Sequence, residues 1–315
     1  MNRRTFLEAG ALAAFAGPQK KAQIAITLDL EMSRNFPLWQ DTHWDFEKGN
    51  LNDETKRYAL EAGRRVRRHG GVIHYFAVGQ VFEQANIDWL LKLVRAGHPV
   101  GNHTYDHVNV RATRPQDLQF RFQRAPWLIE GKTPLQVIEE NVRMTSAAMK
   151  QRLGKEPVGF RTPGGFADGL QDRADVRRVL RDLGFSWISS KYQGSPTPKA
   201  DTRPDAEFFR QLLLAQEAAQ PFKYPDGLVE VPMSPVSDIG AFRLGRWQLA
   251  WFLETIDKAL DWAIEHRAVF DFLSHPSCLY VVDPRMQAIE LICDRVAKAR
   301  DKAELVSLRE IAARV

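Results

Sequence analysis

Cysteine is scarce in this chain of 315 residues, which contains only Cys278 and Cys293. Neither belongs to a CxxC pair or a Cys/His cluster, so the sequence excludes a disulfide framework and argues against zinc–thiolate chemistry, while a single bridge between them stays open. No apolar run reaches the roughly 20 residues that a membrane-spanning helix needs, which predicts no stable membrane span. Internal repeats, low-complexity tracts and linkers are also missing, and this indicates one folded domain.

A strong charge of one sign is missing too, because 44 Lys and Arg stand against 39 Asp and Glu, a net charge of +5. The densest basic run, Arg64-Arg65-Val66-Arg67-Arg68, is typical of a solvated helix face. It has no accompanying aromatic-and-basic motif, so nucleic acid is not an expected partner. Hydrophobic residues make up 44% of the chain, enough for a sizeable core.

The N-terminus resembles a twin-arginine (Tat) export signal. It has the pair Arg3-Arg4, then Phe6-Leu7, a mildly apolar stretch and Ala14-Phe15-Ala16 as a cleavage site. This predicts that residues 1–16 are a signal recognised by the Tat export machinery, and that residues 17–315 form the folded domain of a periplasmic or extracellular protein. The alternative is an ordinary N-terminal amphipathic helix on a cytoplasmic protein.

Apolar, β-branched runs alternate with helical patterns along the rest of the chain. Strands are predicted at 22–29, 71–78, 98–103, 157–161, 184–189, 227–232, 268–274 and 303–307. Helices are predicted at 53–69, 84–96, 134–153, 172–183, 246–266, 284–300 and 307–314. The alternation favours an α/β fold, a distorted (β/α) barrel of seven or eight strands, with a doubly wound open sheet as the alternative. Segments 111–133 and 190–226 fit neither period and are expected to be binding loops or lids.

Several polar residues whose side chains could bind a metal, transfer a proton or carry a charge fall at the carboxyl ends of the predicted strands. These residues are Asp29, Glu31, His103, Arg161 and His275. In a (β/α) barrel the carboxyl rim of the strands is where active sites are built, so we expect these side chains to meet there.

His103 and His107 are four residues apart, a spacing that places both imidazoles on one face of a helical turn. Neutral imidazole is a common ligand for zinc and similar metals. Together with the carboxylates of Asp29 and Glu31 and the further histidine His275, the pair indicates a metallohydrolase site.

At this point the chain resembles a known family, the polysaccharide deacetylases with a NodB-homology domain (carbohydrate esterase family 4). Four short motifs match in family order: Thr27-Leu28-Asp29-Leu30-Glu31, His103-Thr104-Tyr105-Asp106-His107, Arg161-Thr162-Pro163-Gly164-Gly165 and Leu273-Ser274-His275. The resemblance implies a NodB-like barrel and a metal-dependent hydrolase that removes acetyl groups from the N-acetylated sugars of a polysaccharide.

The resemblance also implies roles for the residues. Asp29 would be the catalytic base, and His275 would be the general acid. Arg161 would hold Asp29 by an ion pair. The metal ligands would be Glu31, His103 and His107, and the cation would be divalent: zinc is expected, with cobalt, nickel, iron or manganese as alternatives.

Two departures from the family pattern bear on these roles. The commoner motif has adjacent aspartates, whereas Leu30 separates the carboxylates here and the second is Glu31. The motif that normally places an Asp and a Trp beside the acid histidine is blurred: Trp187 is a candidate for the Trp, and Asp271 is a candidate partner of His275.

Two other functions stay open. One is hydrolysis of another C–N bond, in a small amide or a cyclic ureide. The other is a catalytically silent carbohydrate-binding module, which the intact Asp29 and His275 argue against.

Overall fold

A computed structural model describes residues 20–32, 48–194, 196 and 199–315 of the chain. The predicted export signal at residues 1–16 lies outside the described residues. Within them, the strands are β1 (Ala22–Leu30), β2 (Ile73–Ala77), β3 (Val100–Asn102), β4 (Phe160–Phe166), β5 (Trp187–Lys191), β6 (Phe222–Lys223), β7 (Val229–Glu230), β8 (Val269–Ser274) and β9 (Ala303–Leu305). The α-helices are α1 (Asp53–Arg68), α2 (Asp88–Arg95), α3 (Phe120–Arg124), α4 (Pro134–Leu153), α5 (Ala174–Asp182), α6 (Ala206–Ala218), α7 (Leu249–Glu265), α8 (Pro276–Val282), α9 (Gln287–Lys298) and α10 (Leu308–Ala312).

One curled sheet organises the described part of the chain. Its strand order is β6-β7-β5-β4-β3-β2-β1-β8, with β9 paired to the start of β1. Every pairing is parallel except that of β6 with β7. The sheet is a distorted, incomplete (β/α) barrel, which confirms the predicted fold class. In the described residues the two edge strands, β6 and β8, are not paired with each other.

Strand β1 is the centre of this sheet. All nine of its residues are buried, as its unbroken apolar run predicts for a parallel strand covered on both faces. Residues 26–30 pair with β2, and residues 23–28 pair with β8 on the other side. The carboxyl end of β1 is therefore surrounded by the ends of its neighbours.

Helix boundaries follow local chemistry. Helix α4 begins at a capping box in which Thr133 and Gln136 satisfy each other's backbone N–H groups, and it ends at Gly154, which adopts the left-handed conformation with φ of 66°. The prediction for α9 was wrong at its start: the helix begins at Gln287 and not at 284. The Asp283 carboxylate accepts the backbone N–H groups of Gln287 and Ala288 at 2.9 and 2.8 Å, so it caps the first turn of a helix that begins at Gln287.

The eight predicted strands and seven predicted helices are all present; α4 has the predicted ends, and the other elements have shifted ends. The segments read as irregular contain more order than expected: α6 lies within 190–226, and α3 with two short 3-10 turns lies within 111–133. No helix in the described residues has the length and apolar character to cross a membrane. Cys278 and Cys293 are buried and form no disulfide.

Candidate active site

The carboxyl end of β1 supplies two buried carboxylates. Asp29 is the second-last residue of the strand, and Glu31 follows its end. Because side chains alternate along a strand, residues two apart point to the same side, so the D-x-E spacing sends both carboxylates towards the same space. Asp29 is 4% exposed and Glu31 is 3% exposed, which makes each depend on polar partners.

The two histidines come from the segment after β3, and here the helical prediction was wrong. Residues 103–107 form an irregular turn and not a helix, with Thr104 and His107 both in the left-handed region at φ of 58°. Side chains hold the turn: Asn102 Oδ1 accepts the N–H of Thr104 at 2.8 Å, and Thr104 Oγ1 accepts the N–H of Val108 at 3.0 Å. The turn still brings the two imidazole rings to a centroid distance of 5.1 Å. Non-glycine residues held at positive φ are strained and cluster at functional sites.

Glu31, His103 and His107 meet at one point. Each offers a ligand atom, and these atoms all lie within 4.8 Å of one another. Glu31 Oε2 is 2.6 Å from His107 Nε2 and 3.7 Å from His103 Nε2. Although buried, Glu31 Oε2 has no hydrogen-bond partner among the residues that the structure describes. The ring of His103 is oriented by a contact at its other nitrogen, because Nδ1 lies 3.0 Å from the carbonyl oxygen of Arg161.

The second oxygen of Glu31 has cationic neighbours. Lys48 Nζ donates to Glu31 Oε1 at 2.7 Å, and His275 Nε2 lies 3.5 Å from the same oxygen. Burial raises the pKa of Glu31, but His107 and Lys48 outweigh it and hold that pKa well below its usual range. Burial and Lys48 lower the pKa of His107 to about 4 against the opposing pull of Glu31, which keeps this imidazole neutral near pH 7.

His275 follows the last residue of β8, and its partner is Asp238. Asp238 Oδ1 lies 3.0 Å from His275 Nδ1, and Asp238 Oδ2 accepts the backbone N–H of His275 at 2.8 Å. Burial lowers the pKa of His275, but Asp238, with help from Glu31 and Asp29, raises it to about 9. Asp271 was therefore the wrong candidate for this partner.

Asp271 instead belongs to a buried network around Arg161. Arg161 Nη1 is 3.2 Å from Asp29 Oδ1 and 2.7 Å from Thr27 Oγ1, while Nη2 is 2.5 Å from Asp271 Oδ2. The guanidinium also contacts Ser189 Oγ at 3.2 and 3.3 Å. Burial raises the pKa of Asp271 to about 6, with Arg161 opposing. The predicted ion pair between Arg161 and Asp29 is present, and the same guanidinium also holds a second carboxylate.

Two further expectations need correction. Strand β4 runs Phe160–Phe166, so Arg161 lies near its start and not at its carboxyl end; the register with β5 shifts after Arg161. Trp187 is the first residue of β5, at the amino end of the strand, whereas the carboxylate–histidine cluster lies at the carboxyl ends of the strands. It packs edge-on against His74 there, at 5.4 Å between ring centroids, so it is not the Trp beside His275.

Sequence reasoning missed Asp238 and Lys48. Asp238 begins the π-helical turn Ile239–Leu244, in the stretch that follows β7, so the rule that functional residues follow strand ends could have found it. Lys48 belongs to no motif, because its contact with Glu31 joins residues that are 17 positions apart in the chain.

The cluster combines groups with complementary roles. One buried carboxylate oxygen and two imidazole nitrogens face each other as metal ligands would. Asp29 Oδ2 lies 3.7 Å from His103 Nε2 and borders that point without joining it. His275, whose pKa is raised to about 9, lies 3.5 Å from Glu31 Oε1, the other oxygen of that carboxylate. Such an arrangement can hold a cation, accept a proton on one side and donate one on the other.

Comparisons with known proteins agree with the fold. Residues 50–188 match the family model described as "Polysaccharide deacetylase"; this segment includes His103, His107 and Arg161 but not Asp29, Glu31 or His275. No curated protein matches the chain.

Solved structures with low sequence identity share the architecture. A protein of Mycobacterium smegmatis named as a polysaccharide deacetylase has a TM-score of 0.61 at 16% identity, covering 95% of this chain and 92% of its own. A second, from Pseudomonas aeruginosa PAO1, has a TM-score of 0.63 at 15% identity, covering 94% and 92%. PuuE allantoinase has a TM-score of 0.61 at 14% identity, covering 94% and 91%. The likenesses show the fold, and the match over residues 50–188 makes this part of the chain similar to the polysaccharide deacetylase family.

Proposed function

We propose that the chain is a metal-dependent hydrolase that removes acetyl groups from the N-acetylated sugars of a polysaccharide. The observation that carries the proposal is the convergence of Glu31, His103 and His107 on one small volume, bordered by Asp29 and His275. The similarity of residues 50–188 to the polysaccharide deacetylase family supports the reaction type, a hydrolysis of a C–N bond.

The three converging residues suit a divalent cation. Glu31 Oε2 is buried without a hydrogen-bond partner, and His107 is neutral near pH 7. The bond from His103 Nδ1 to the Arg161 carbonyl leaves Nε2 as the ligand atom, the usual way in which a second contact orients a metal-binding histidine. Mixed carboxylate and imidazole ligands favour zinc, and cobalt, nickel, iron or manganese would also be accepted. Such a cation, when bound, would polarise the acetyl carbonyl and lower the pKa of a water molecule.

The proton transfers are assigned to Asp29 and His275. Asp29, fixed by Arg161, accepts a proton from the attacking water. His275, kept protonated by Asp238, donates its proton to the departing amine nitrogen, which is a poor leaving group without it. Arg161 and Asp238 act by orientation and charge on these two groups.

The proposed substrate class rests on the similarity to polysaccharide deacetylases, and the fold shared with an allantoinase gives the second candidate. A glycan N-acetyl group is the amide that polysaccharide deacetylases attack. A small amide or cyclic ureide remains the second candidate, because the allantoinase shares this fold at a TM-score of 0.61, equal to that of the M. smegmatis protein. A catalytically silent carbohydrate-binding module is disfavoured, since Asp29 and His275 both lie at the cluster. We propose that the enzyme acts outside the membrane, after export by the signal at residues 1–16.

An acetate-release assay tests the proposal. The purified protein would be stripped of metal, reloaded with zinc, and incubated with chitin oligomers, peptidoglycan fragments and small ureides. We expect zinc-dependent acetate release from a glycan, lost in Glu31→Gln and kept in the surface variant Lys132→Met. Ureide cleavage without acetate release would replace the substrate class, and glycan binding without turnover would favour the silent module.

A further inference from the structure

Lys48 is a buried lysine at the candidate metal site. Its Nζ lies 2.7 Å from Glu31 Oε1, and both side chains are only 4% exposed. Lysine is almost never fully buried unless it is paired, because taking its charge out of water is costly. A cation in permanent contact with a proposed metal ligand therefore requires a reason.

The backbone around Lys48 is held in place. The carbonyl oxygen of Lys48 accepts the N–H of Met32 at 2.9 Å, which ties this segment to the end of β1. Gln84 Nε2 donates to the carbonyl oxygen of Gly49 at 3.3 Å. Gly49 itself is closely packed, since a Cβ there would lie 2.3 Å from Cβ of Gln80. Lys48 thus reaches Glu31 from a fixed position.

The two oxygens of Glu31 have different surroundings. Oε1 faces cations, with Lys48 at 2.7 Å and His275 at 3.5 Å. Oε2 faces the imidazoles of His107 and His103, at 2.6 and 3.7 Å, and within the described part of the chain it has no hydrogen-bond partner. Only Oε2 is therefore available to a metal, while Oε1 is occupied by Lys48.

We propose that Lys48 is a positioning residue: it holds Glu31 as a one-oxygen metal ligand and supplies the counter-charge of that carboxylate before the metal arrives. The inference rests on the proposed function, because it takes Glu31 to be a ligand. Without Lys48, the buried Glu31 carboxylate would lose the ammonium group that donates to its Oε1 at 2.7 Å in the metal-free protein. The same charge repels an incoming divalent cation. Lys48 consequently stabilises the metal-free site and weakens metal binding.

Replacing Lys48 by methionine separates this role from that of an ordinary buried ion pair. In metal-free Lys48→Met at pH 8, the carboxylate loses the ammonium group that donates to its Oε1, and we expect the melting temperature to fall by about 10 °C. Saturating zinc chloride should then raise the melting temperature of the variant by more than it raises that of the wild type. Zinc should also bind the folded variant at least about tenfold more tightly, measured by competition with a chelator.

Three variants serve as controls. Lys48→Arg keeps the charge and should restore the wild-type melting temperature at least in part, with a wild-type zinc response. Lys132→Met removes an exposed lysine that pairs with Glu140 and should change neither quantity. The double variant Glu31→Gln/Lys48→Met has no charge at position 31 that needs a partner, so its metal-free melting temperature should lie above that of Lys48→Met.

The outcomes distinguish the inference from the proposed function. If zinc stabilises the wild type but not Glu31→Gln, and Lys48→Met shows the wild-type zinc response and affinity, the inference about Lys48 is wrong while the metal site stands. If zinc stabilises neither the wild type nor the variants, the metal site itself is wrong. If Lys48→Met binds zinc more weakly than the wild type, Lys48 acts as an ordinary structural residue, and the inference is overturned.

Discussion

Replacing Asp238 by asparagine tests how His275 is kept protonated. Asparagine has nearly the shape of aspartate and can still accept the His275 backbone N–H, which Asp238 Oδ2 now accepts at 2.8 Å. It removes the negative charge that lies 3.0 Å from His275 Nδ1. Burial, which lowers the pKa of His275, is then opposed only by the more distant carboxylates.

The size of the effect follows from the pKa. Asp238 and its neighbours raise the pKa of His275 from 6.5 to about 9, a change of about 2.5 units and about 3 kcal/mol. At pH 8 a histidine with a pKa of 9 is about 90% protonated, whereas one with a pKa of 6.5 is about 3% protonated. Asp238→Asn should therefore lose roughly 30-fold in rate at pH 8 and much less at pH 6. A bound cation acts on both proteins alike, so the difference between them is the relevant quantity.

The assay is the initial rate of acetate release between pH 6 and pH 10. Because the raised pKa keeps His275 protonated at neutral pH, the wild-type rate should fall as the pH rises through about 9, and in Asp238→Asn the fall should begin at least two pH units lower. Asp226→Asn, which removes a carboxylate paired with Arg177 outside the site, should leave the profile unchanged. An alkaline limb at the same pH in Asp238→Asn and in the wild type would refute the assignment of His275 as the acid.

Other predictions concern metal, stability and export. His275→Ala should lose most turnover but keep its zinc content, whereas His103→Ala should lose both, as measured by elemental analysis beside the acetate assay; normal turnover in His275→Ala would contradict the acid role. Burial lowers the pKa of His74 to about 3, so the folded protein favours the neutral ring. His74 therefore contributes up to about 5 kcal/mol of stability above pH 6.5 that is lost as the pH falls towards 3, and His74→Gln should flatten this part of the stability curve in chemical denaturation. Deleting the first sixteen residues should leave acetate release intact, and changing Arg3 and Arg4 to lysine should retain the protein in the cytoplasm; cell fractionation that finds the lysine variant exported would contradict the signal.

The parts of the fold that sequence predicted well are those with strong local signals. Strand β1 is an unbroken apolar run, and α4 has a capping box at one end and glycine at the other. Helix α6 was missed although Asp205 caps it by accepting the N–H of Phe208. Its buried residues Phe208, Leu212, Ala215 and Gln216 follow a helical stripe. The exposed Leu214 lies on the opposite face and hides that stripe in the sequence, because it is as apolar as the buried positions.

For the candidate site too, local spacing predicted some residues and missed others. The D-x-E and H-x-x-x-H spacings identified groups that the fold brings together. The histidine spacing suggested a helical turn, whereas a turn with positive φ at Thr104 and His107 brings the two imidazoles together. The partners of the site were beyond sequence reasoning, because they are set by contacts between distant segments. Asp238, which contacts His275, lies 37 residues before it in the chain. Asp271, which the sequence suggested because it shares a strand face with His275, is paired with Arg161 instead.

The central claim is that Glu31, His103 and His107 hold one catalytic metal ion. A crystal structure of the zinc-loaded protein, with anomalous diffraction measured on both sides of the zinc absorption edge, tests it most directly. We expect one strong anomalous peak at about 2.0–2.2 Å from Glu31 Oε2 and from Nε2 of both histidines, with Lys48 still on Glu31 Oε1. A peak ligated by Asp29 in place of Glu31, or no peak among these three residues at saturating zinc, would contradict the account.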